Sequence, residues 1–116
     1  MEVSGSFLSN TIPPKDAVKR FDKSIVDYIH VDIMDGKFVD NKTYTVSEVT
    51  KLSELTTKML DIHLMVKNPE KYIDELSMLN TKYITFHYEA VKNHIEIINH
   101  IKNKLTKGEL KGLDLF

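Results

Sequence analysis

Residues 28–36 read Tyr-Ile-His-Val-Asp-Ile-Met-Asp-Gly, and the alternation inside that stretch constrains the fold more tightly than any other feature of the chain. Ile29, Val31 and Ile33 take one set of alternate positions; His30, Asp32 and Met34 take the other. Successive side chains of a strand point to opposite faces, so such a strand has one aliphatic face and one that carries groups costly to bury without partners. The division recurs at residues 60–65, with Leu60, Ile62 and Leu64 against Asp61, His63 and Met65. It recurs again at residues 82–87, where Ile84 and Phe86 oppose Tyr83, Thr85 and His87, and Ser4 and Ser6 extend the polar set toward the N-terminus.

Helical patterns separate these segments. A first strand is expected over Val3 to Leu8, followed by a helix whose first turn suits Pro13 and Pro14 and whose apolar side is Ala17, Val18 and Phe21. After a strand over Val26 to Ile33, Thr45 opens a second helix. Glu48 lies three residues on, the capping-box spacing, and Val46, Val49, Leu52 and Leu55 form the buried stripe. A third strand covers Lys58 to Met65. Asn68 before Pro69 predicts a helix start in which Asn68 accepts from first-turn N–H groups, with Tyr72, Ile73, Leu76 and Leu79 inward. The strand at 82–87 precedes a helix carrying Val91, Ile95, Ile98, Ile101 and Leu105 and stopped at Gly108; a fifth strand begins within 111–116.

Alternating strands and helices predict right-handed βαβ crossovers and a parallel sheet with helices outside. An open doubly wound sheet is covered on both faces and is aliphatic on both, whereas a barrel interior accommodates a polar second face. The fold expected is therefore α/β, with TIM-barrel-type (β/α) repeats: about four βα units plus the start of a fifth strand, a half barrel, with residues 1–116 as a single domain. Barrel active sites form at the C-terminal strand ends, where His30, Asp32, Met34, His63, Met65 and His87 would lie.

Charge and composition narrow the partners. Sixteen basic against 17 acidic residues give a net charge of −1 without a block of either sign, which favours neither nucleic acid nor an anionic membrane. No apolar run approaches the roughly 20 residues of a membrane span, and the first ten residues lack the charged-then-apolar order of a signal peptide. Cysteine is absent, so disulfides and thiolate metal sites are excluded, and a cytoplasmic location is expected.

Two imidazoles and a carboxylate suit a borderline divalent cation, and residues two apart on one strand point the same way. A nearby cation would also keep Asp32 ionised. The same side chains admit a plainer reading, as groups at a barrel mouth that satisfy neighbouring backbone. Asp35 before Gly36 reads as a strand-ending turn; Asp61 reads as a partner to adjacent strands or a support behind a ligand; His94 and His100, six apart, read as solvated surface.

Four blocks carry a resemblance: Ser-Gly-Ser-Phe-Leu-Ser at 4–9, His-Val-Asp-Ile-Met-Asp-Gly-Lys-Phe-Val-Asp-Asn at 30–41, Leu-Asp-Ile-His-Leu-Met-Val-Lys-Asn-Pro at 60–69, and His-Tyr-Glu-Ala at 87–90. In this order they resemble the ribulose-phosphate 3-epimerase family, with Gly5 and Asp40 standing where that family usually has proline. The resemblance implies metal-assisted inversion at C3 between D-ribulose 5-phosphate and D-xylulose 5-phosphate. It implies His30, Asp32 and His63 as ligands of a divalent ion (zinc, iron, cobalt or manganese) and Asp32 also as the base. Ser6 would touch substrate hydroxyls, Met34 and Met65 would line the pocket, and His87 would stand at the substrate or fill the mouth. The expected partner is a phosphorylated ketose; an allulose 6-phosphate epimerase shares these first-half motifs. His63 stands where the decarboxylase and hexulose-phosphate synthase branch has a lysine, which disfavours that branch.

A complete barrel of this kind takes about 200 residues or more. The resemblance places the family's second catalytic aspartate, also its fourth ligand, and its glycine-rich phosphate loops outside residues 1–116. Metal affinity with little turnover is one expectation. The other is a non-catalytic half barrel that forms a homo-oligomer, or pairs with another chain, through exposed sheet edges.

Overall fold

The strands lie side by side in chain order, and that settles the class of sheet. In a computed structural model, which describes residues 2–7, 12–87, 94–106 and 113–115, the elements are β1 (Ser4–Ser6), α1 (Pro14–Asp22), β2 (Tyr28–Met34), α2 (Val46–Ser53), β3 (Met59–Met65), α3 (Glu70–Ser77), β4 (Thr81–Phe86), α4 (His94–Thr106) and β5 (Leu113–Leu115). The five strands are parallel in the order β1-β2-β3-β4-β5. A doubly wound sheet reverses its order at a switch point. This one does not, so every crossover leaves its helix on the same face, and the result is an α/β half-barrel of the TIM-barrel kind.

That face holds the core. Ile29, Val31, Ile33, Leu60, Ile62, Leu64, Ile84 and Phe86 are buried against Ala17 and Val18 of α1, Val49 and Leu52 of α2, Ile73 and Leu76 of α3, and Ile97 and Ile101 of α4. Burial of aliphatic side chains at about 25 cal/mol per Å² is the main term favouring this layer. The helix ends are built locally. Thr45 accepts from the Glu48 N–H while the Glu48 carboxylate accepts from the Thr45 N–H, completing the expected capping box. Pro14 occupies the first turn of α1, where its missing N–H is no loss.

Several boundaries differ from the sequence reading, each for a local reason. β1 spans Ser4–Ser6 rather than Val3 to Leu8: the Val3 carbonyl turns to accept from the N–H groups of Asp27 and Tyr28, and Leu8 lies outside the described residues. β2 starts at Tyr28 rather than Val26, because the Val26 carbonyl is taken by the Lys58 ammonium, which also holds Ser24. Asn68 does not cap α3. Its carbonyl accepts from Lys71, and Pro69 occupies the cap position with no side-chain bond. On α4 the buried side is Ile97 and Ile101, with Ile98 half-buried, whereas Ile95 is 61% exposed. Isoleucines at 95, 97 and 98 write two overlapping stripes, and contact with the sheet selects the one through 97. Val91 and Gly108, and the side chain of Leu105, lie outside the described set.

Two irregularities position side chains. Leu60 pairs with Thr81 but Asp61 pairs with Tyr83, so Lys82 is an extra residue in β4. That single bulge brings Tyr83 and Thr85 alongside Asp61 and His63 and keeps the polar faces of the two strands aligned. Gly5, in the middle of β1, lies under the Phe21 ring: a Cβ there would come within 2.8 Å of a ring carbon. The glycine thus answers the aromatic on α1. Gly5→Ala is expected to lower stability by about 1–3 kcal/mol through overpacking, with part regained in the Gly5→Ala/Phe21→Leu double variant. Urea denaturation of the four proteins in this cycle measures it. Ile62→Ala, in the fully buried centre of β3, is expected to cost about 2–5 kcal/mol by the same assay.

Candidate metal centre

Parallel registration of β2 and β3 sets Asp32 beside His63 and His30 beside Asp61, all on the face away from the helices. Asp32 is the centre of the group. Its Oδ1 lies 3.1 Å from His30 Nε2 and 3.1 Å from His63 Nδ1. One ligand atom from each of His30, Asp32 and His63 lies within 4.8 Å of the others. Around a divalent ion with ligand distances near 2.0–2.1 Å, neighbouring donor atoms are separated by about 2.9–3.4 Å. The spacing and the donor types, two imidazoles and a carboxylate, therefore fit such an ion.

The surroundings hold these rings in place. His30 Nδ1 lies 3.0 Å from Asp61 Oδ2, and the Ser4 hydroxyl donates to the same oxygen at 3.1 Å. His63 Nε2 lies 2.9 Å from His87 Nε2, with ring centroids 5.1 Å apart and ring planes 28° from parallel. Phe38 closes the far side of His87 at 5.4 Å. Asp32 is 8% exposed. Burial alone would raise its pKa, but the bonds to His30 and His63 outweigh that and hold the carboxyl well below the usual carboxylate range. His30 faces two carboxylates, Asp32 first and Asp61 second, and its pKa is pushed up to about 10 against the burial that would lower it.

The loop after β2 is tied to the strand's end. The Thr43 hydroxyl donates to the Asp32 carbonyl at 2.7 Å and accepts from the Met34 N–H at 2.9 Å. Asp35 is the turn residue expected: Oδ1 accepts from the N–H groups of Lys37 and Phe38, Oδ2 from Lys67 at the start of the loop after β3. Gly36 supplies the turn with φ of +74°.

The remaining candidates fall around this group. Ser6 ends β1 and pairs in register with His30. Met34 and Met65 are neighbours at the adjoining ends of β2 and β3, both half-buried. Met34 also lines a cleft of about 350 Å³ with Lys37, Lys42, Tyr44, Asn68 and Tyr72. His87 follows β4 directly; Glu89 and the rest of its block lie outside the described residues. His100, partly exposed at the surface, reaches the exposed Asp74 carboxylate at 2.7 Å. Thr43 was not among the candidates, and no local pattern marks a hydroxyl nine residues from the N–H it caps. Phe38 stood in the quoted block, but its contact to His87 arises only from the fold.

A model of the ribulose-phosphate 3 epimerase family matches residues 2–113. The chain belongs to the ribulose-phosphate 3-epimerase family. It is 38% identical over 89 residues to the ribulose-phosphate 3-epimerase of Methanocaldococcus jannaschii, covering 77% of this chain and 37% of that protein. It is 42% identical over 90 residues to the enzyme of Schizosaccharomyces pombe (73% and 40%) and 42% identical over 90 residues to the cytoplasmic isoform of Oryza sativa (77% and 38%). The chain thus spans about two fifths of the length of these curated relatives. Among the described residues no helix is long and apolar enough to cross a membrane.

The two shifts give the metal-free chain a defined stability profile. The stabilisation from His30, whose pKa rises on folding from 6.5 to about 10, is complete below pH 6.5 and drains away as pH climbs through about 10. That from Asp32, whose pKa falls from 3.8, is complete above that value and is lost as pH drops below it. Chelator-treated protein is expected to be most stable between these limits. Urea midpoints measured across pH 4 to 10 should fall on the alkaline side, and His30→Gln should flatten that limb.

Proposed function

We propose that this chain carries the metal-holding and proton-abstracting half of a ribulose-phosphate 3-epimerase, with residues 1–116 as the N-terminal half of a (β/α)₈ barrel. The convergence of His30 Nε2, Asp32 Oδ1 and His63 Nδ1 within 4.8 Å on the polar face of the sheet is the observation that supports it. These three residues would hold one divalent ion, of the zinc, iron, cobalt or manganese type. Bound there, the ion supplies Lewis acidity beside a substrate carbonyl and so favours negative charge on adjacent oxygens.

The chain's own residues divide the other tasks. Asp32 Oδ1 is engaged by both imidazoles, while its Oδ2 takes no hydrogen bond among the described residues. Oδ2 is the atom we assign to removing the proton from the carbon next to the ketose carbonyl, and the low pKa of Asp32 keeps it ionised at neutral pH. Ser6, at the end of β1, would meet substrate hydroxyls. Met34 and Met65 would form a thioether wall that donates no competing proton. His87 would stand at the rim between substrate and His63. The acid for the opposite face and the grip on the phosphate are roles for residues outside this set, so the chain alone is expected to bind metal and turn over slowly or not at all.

The edges of the sheet support a second reading. β1 and β5 each pair on one side only within the described strands, and the polar face between them carries no helix among the described residues. Such a face and such edges suit pairing with another copy or with a complementing chain. Metal analysis after chelation and reloading tests the first reading: the parent is expected to approach one ion per chain, and His30→Ala, Asp32→Ala and His63→Ala to lose most of it. Equal occupancy in all four would refute the site. A coupled assay for xylulose 5-phosphate, run across a concentration series with size-exclusion chromatography, addresses the second. Turnover that appears only with the larger species and vanishes in Asp32→Asn would assign the activity to the assembly.

A further inference from the structure

We infer that Asp61 and His87 are positioning residues that fix the metal-ligating tautomers of His30 and His63, one through a carboxylate and the other through a neutral imidazole. The inference rests on the proposed metal reading and goes beyond it, since neither residue is a ligand there. A neutral imidazole has one N–H and one lone pair, so whichever nitrogen faces a strong acceptor carries the hydrogen and leaves the other to bind. His30 Nδ1 faces Asp61 Oδ2 at 3.0 Å. Asp61, when ionised, only accepts, so the proton that His30 keeps when an ion displaces the other is the one on Nδ1, and Nε2, 3.1 Å from Asp32 Oδ1, is freed as the ligand atom.

His63 is set the opposite way round. Its Nδ1 faces Asp32 Oδ1, so a lone pair offered there requires the proton on Nε2, and Nε2 faces His87 Nε2 at 2.9 Å. His87 must then accept at Nε2 and carry its own proton on Nδ1. The His87 ring lies only 28° out of the plane of the His63 ring with centroids 5.1 Å apart, so the two meet edge to edge and the in-plane Nε2 lone pair of His87 is directed at His63, while Phe38 packs against His87 at 5.4 Å.

The sheet places both supports, one within β3 and the other just past the end of β4. Asp61 is registered beside His30 across β2 and β3, and Ser4 of β1 donates to its Oδ2 at 3.1 Å, so three strands fix the carboxylate. The bulge at Lys82 puts β4 in the register that sets Thr85 beside His63, and His87, two residues further along, reaches the His63 ring with its Nε2 at 2.9 Å. Outer partners of this type tune affinity by about 10–100-fold.

The test uses the full 116-residue chain with Co²⁺ and Zn²⁺. Long-range ¹H–¹⁵N correlation of the histidine rings in the Zn²⁺-loaded parent should show the proton on Nδ1 of His30 and on Nε2 of His63; the reverse at either ring overturns the inference for that ring. Asp61→Ala and His87→Phe are expected to raise the Co²⁺ Kd by about 10–100-fold. His87→Gln, whose amide oxygen still accepts, should stay close to the parent, a rescue that a purely space-filling role would not give. Unfolding of the chelated proteins identifies any variant that has lost its fold, and the ring protons of the parent then decide alone. A parent that binds ion with unchanged Kd in Asp61→Ala and His87→Phe sinks this inference and leaves the metal reading standing; a parent that binds none sinks both.

Discussion

Lateral registration between β2 and β3 is the constraint on which the rest of this structure depends. In a parallel pair, residues side by side share a face, so aligning Ile29 with Leu60 also aligns His30 with Asp61 and Asp32 with His63. The aliphatic face supplies the free energy and the polar face inherits the geometry. A slip of one residue would turn one strand's polar set into the helix layer, where each uncompensated group costs kilocalories. The hydrophobic layer thereby enforces the meeting of two imidazoles and a carboxylate without any loop having to fold first.

The polar face is a connected set rather than a scatter of tolerated groups. A continuous line of contacts runs from Ser4 through Asp61, His30, Asp32 and His63 to His87, crossing β1, β3, β2, β3 again and the end of β4. No buried side-chain nitrogen or oxygen among the described residues lacks a partner. Charge is concentrated at its middle, where Asp32 remains ionised because imidazoles on two strands compensate its burial. Coupled networks of this kind resist apportionment into pair energies, and single substitutions disturb neighbours as well as the residue removed.

Much of this was legible in the chain itself. Period-two alternation at 28–34 and 60–65 assigned faces correctly because both strands are regular and long enough for the pattern to repeat. The Thr45 and Glu48 spacing reported a helix start because a capping box is a local structure read from four residues. Asn68 misled for the converse reason: the Asn-Pro pair signals a start, but the chain bends one residue later and the side chain is not needed. Ile95 misled because helical periodicity cannot tell two overlapping isoleucine stripes apart until a sheet is present. The family blocks named His30, Asp32 and His63, yet they could not show that Thr43 braces the Asp32 carbonyl or that Phe38 backs His87, since both contacts join positions with no shared period.

The extra residue at Lys82 decides which side of β4 meets the helices. A strand's two faces behave like a two-letter reading frame, and one inserted residue acts as a frameshift that exchanges inside for outside from that point on. Here the frame after Lys82 is the one that buries Ile84 and Phe86, while Thr81 before it donates its hydroxyl to the Leu76 carbonyl. Taking that one residue out of the strand would exchange its faces from Tyr83 onward, turning Phe86 toward the polar side and His87 toward the helices.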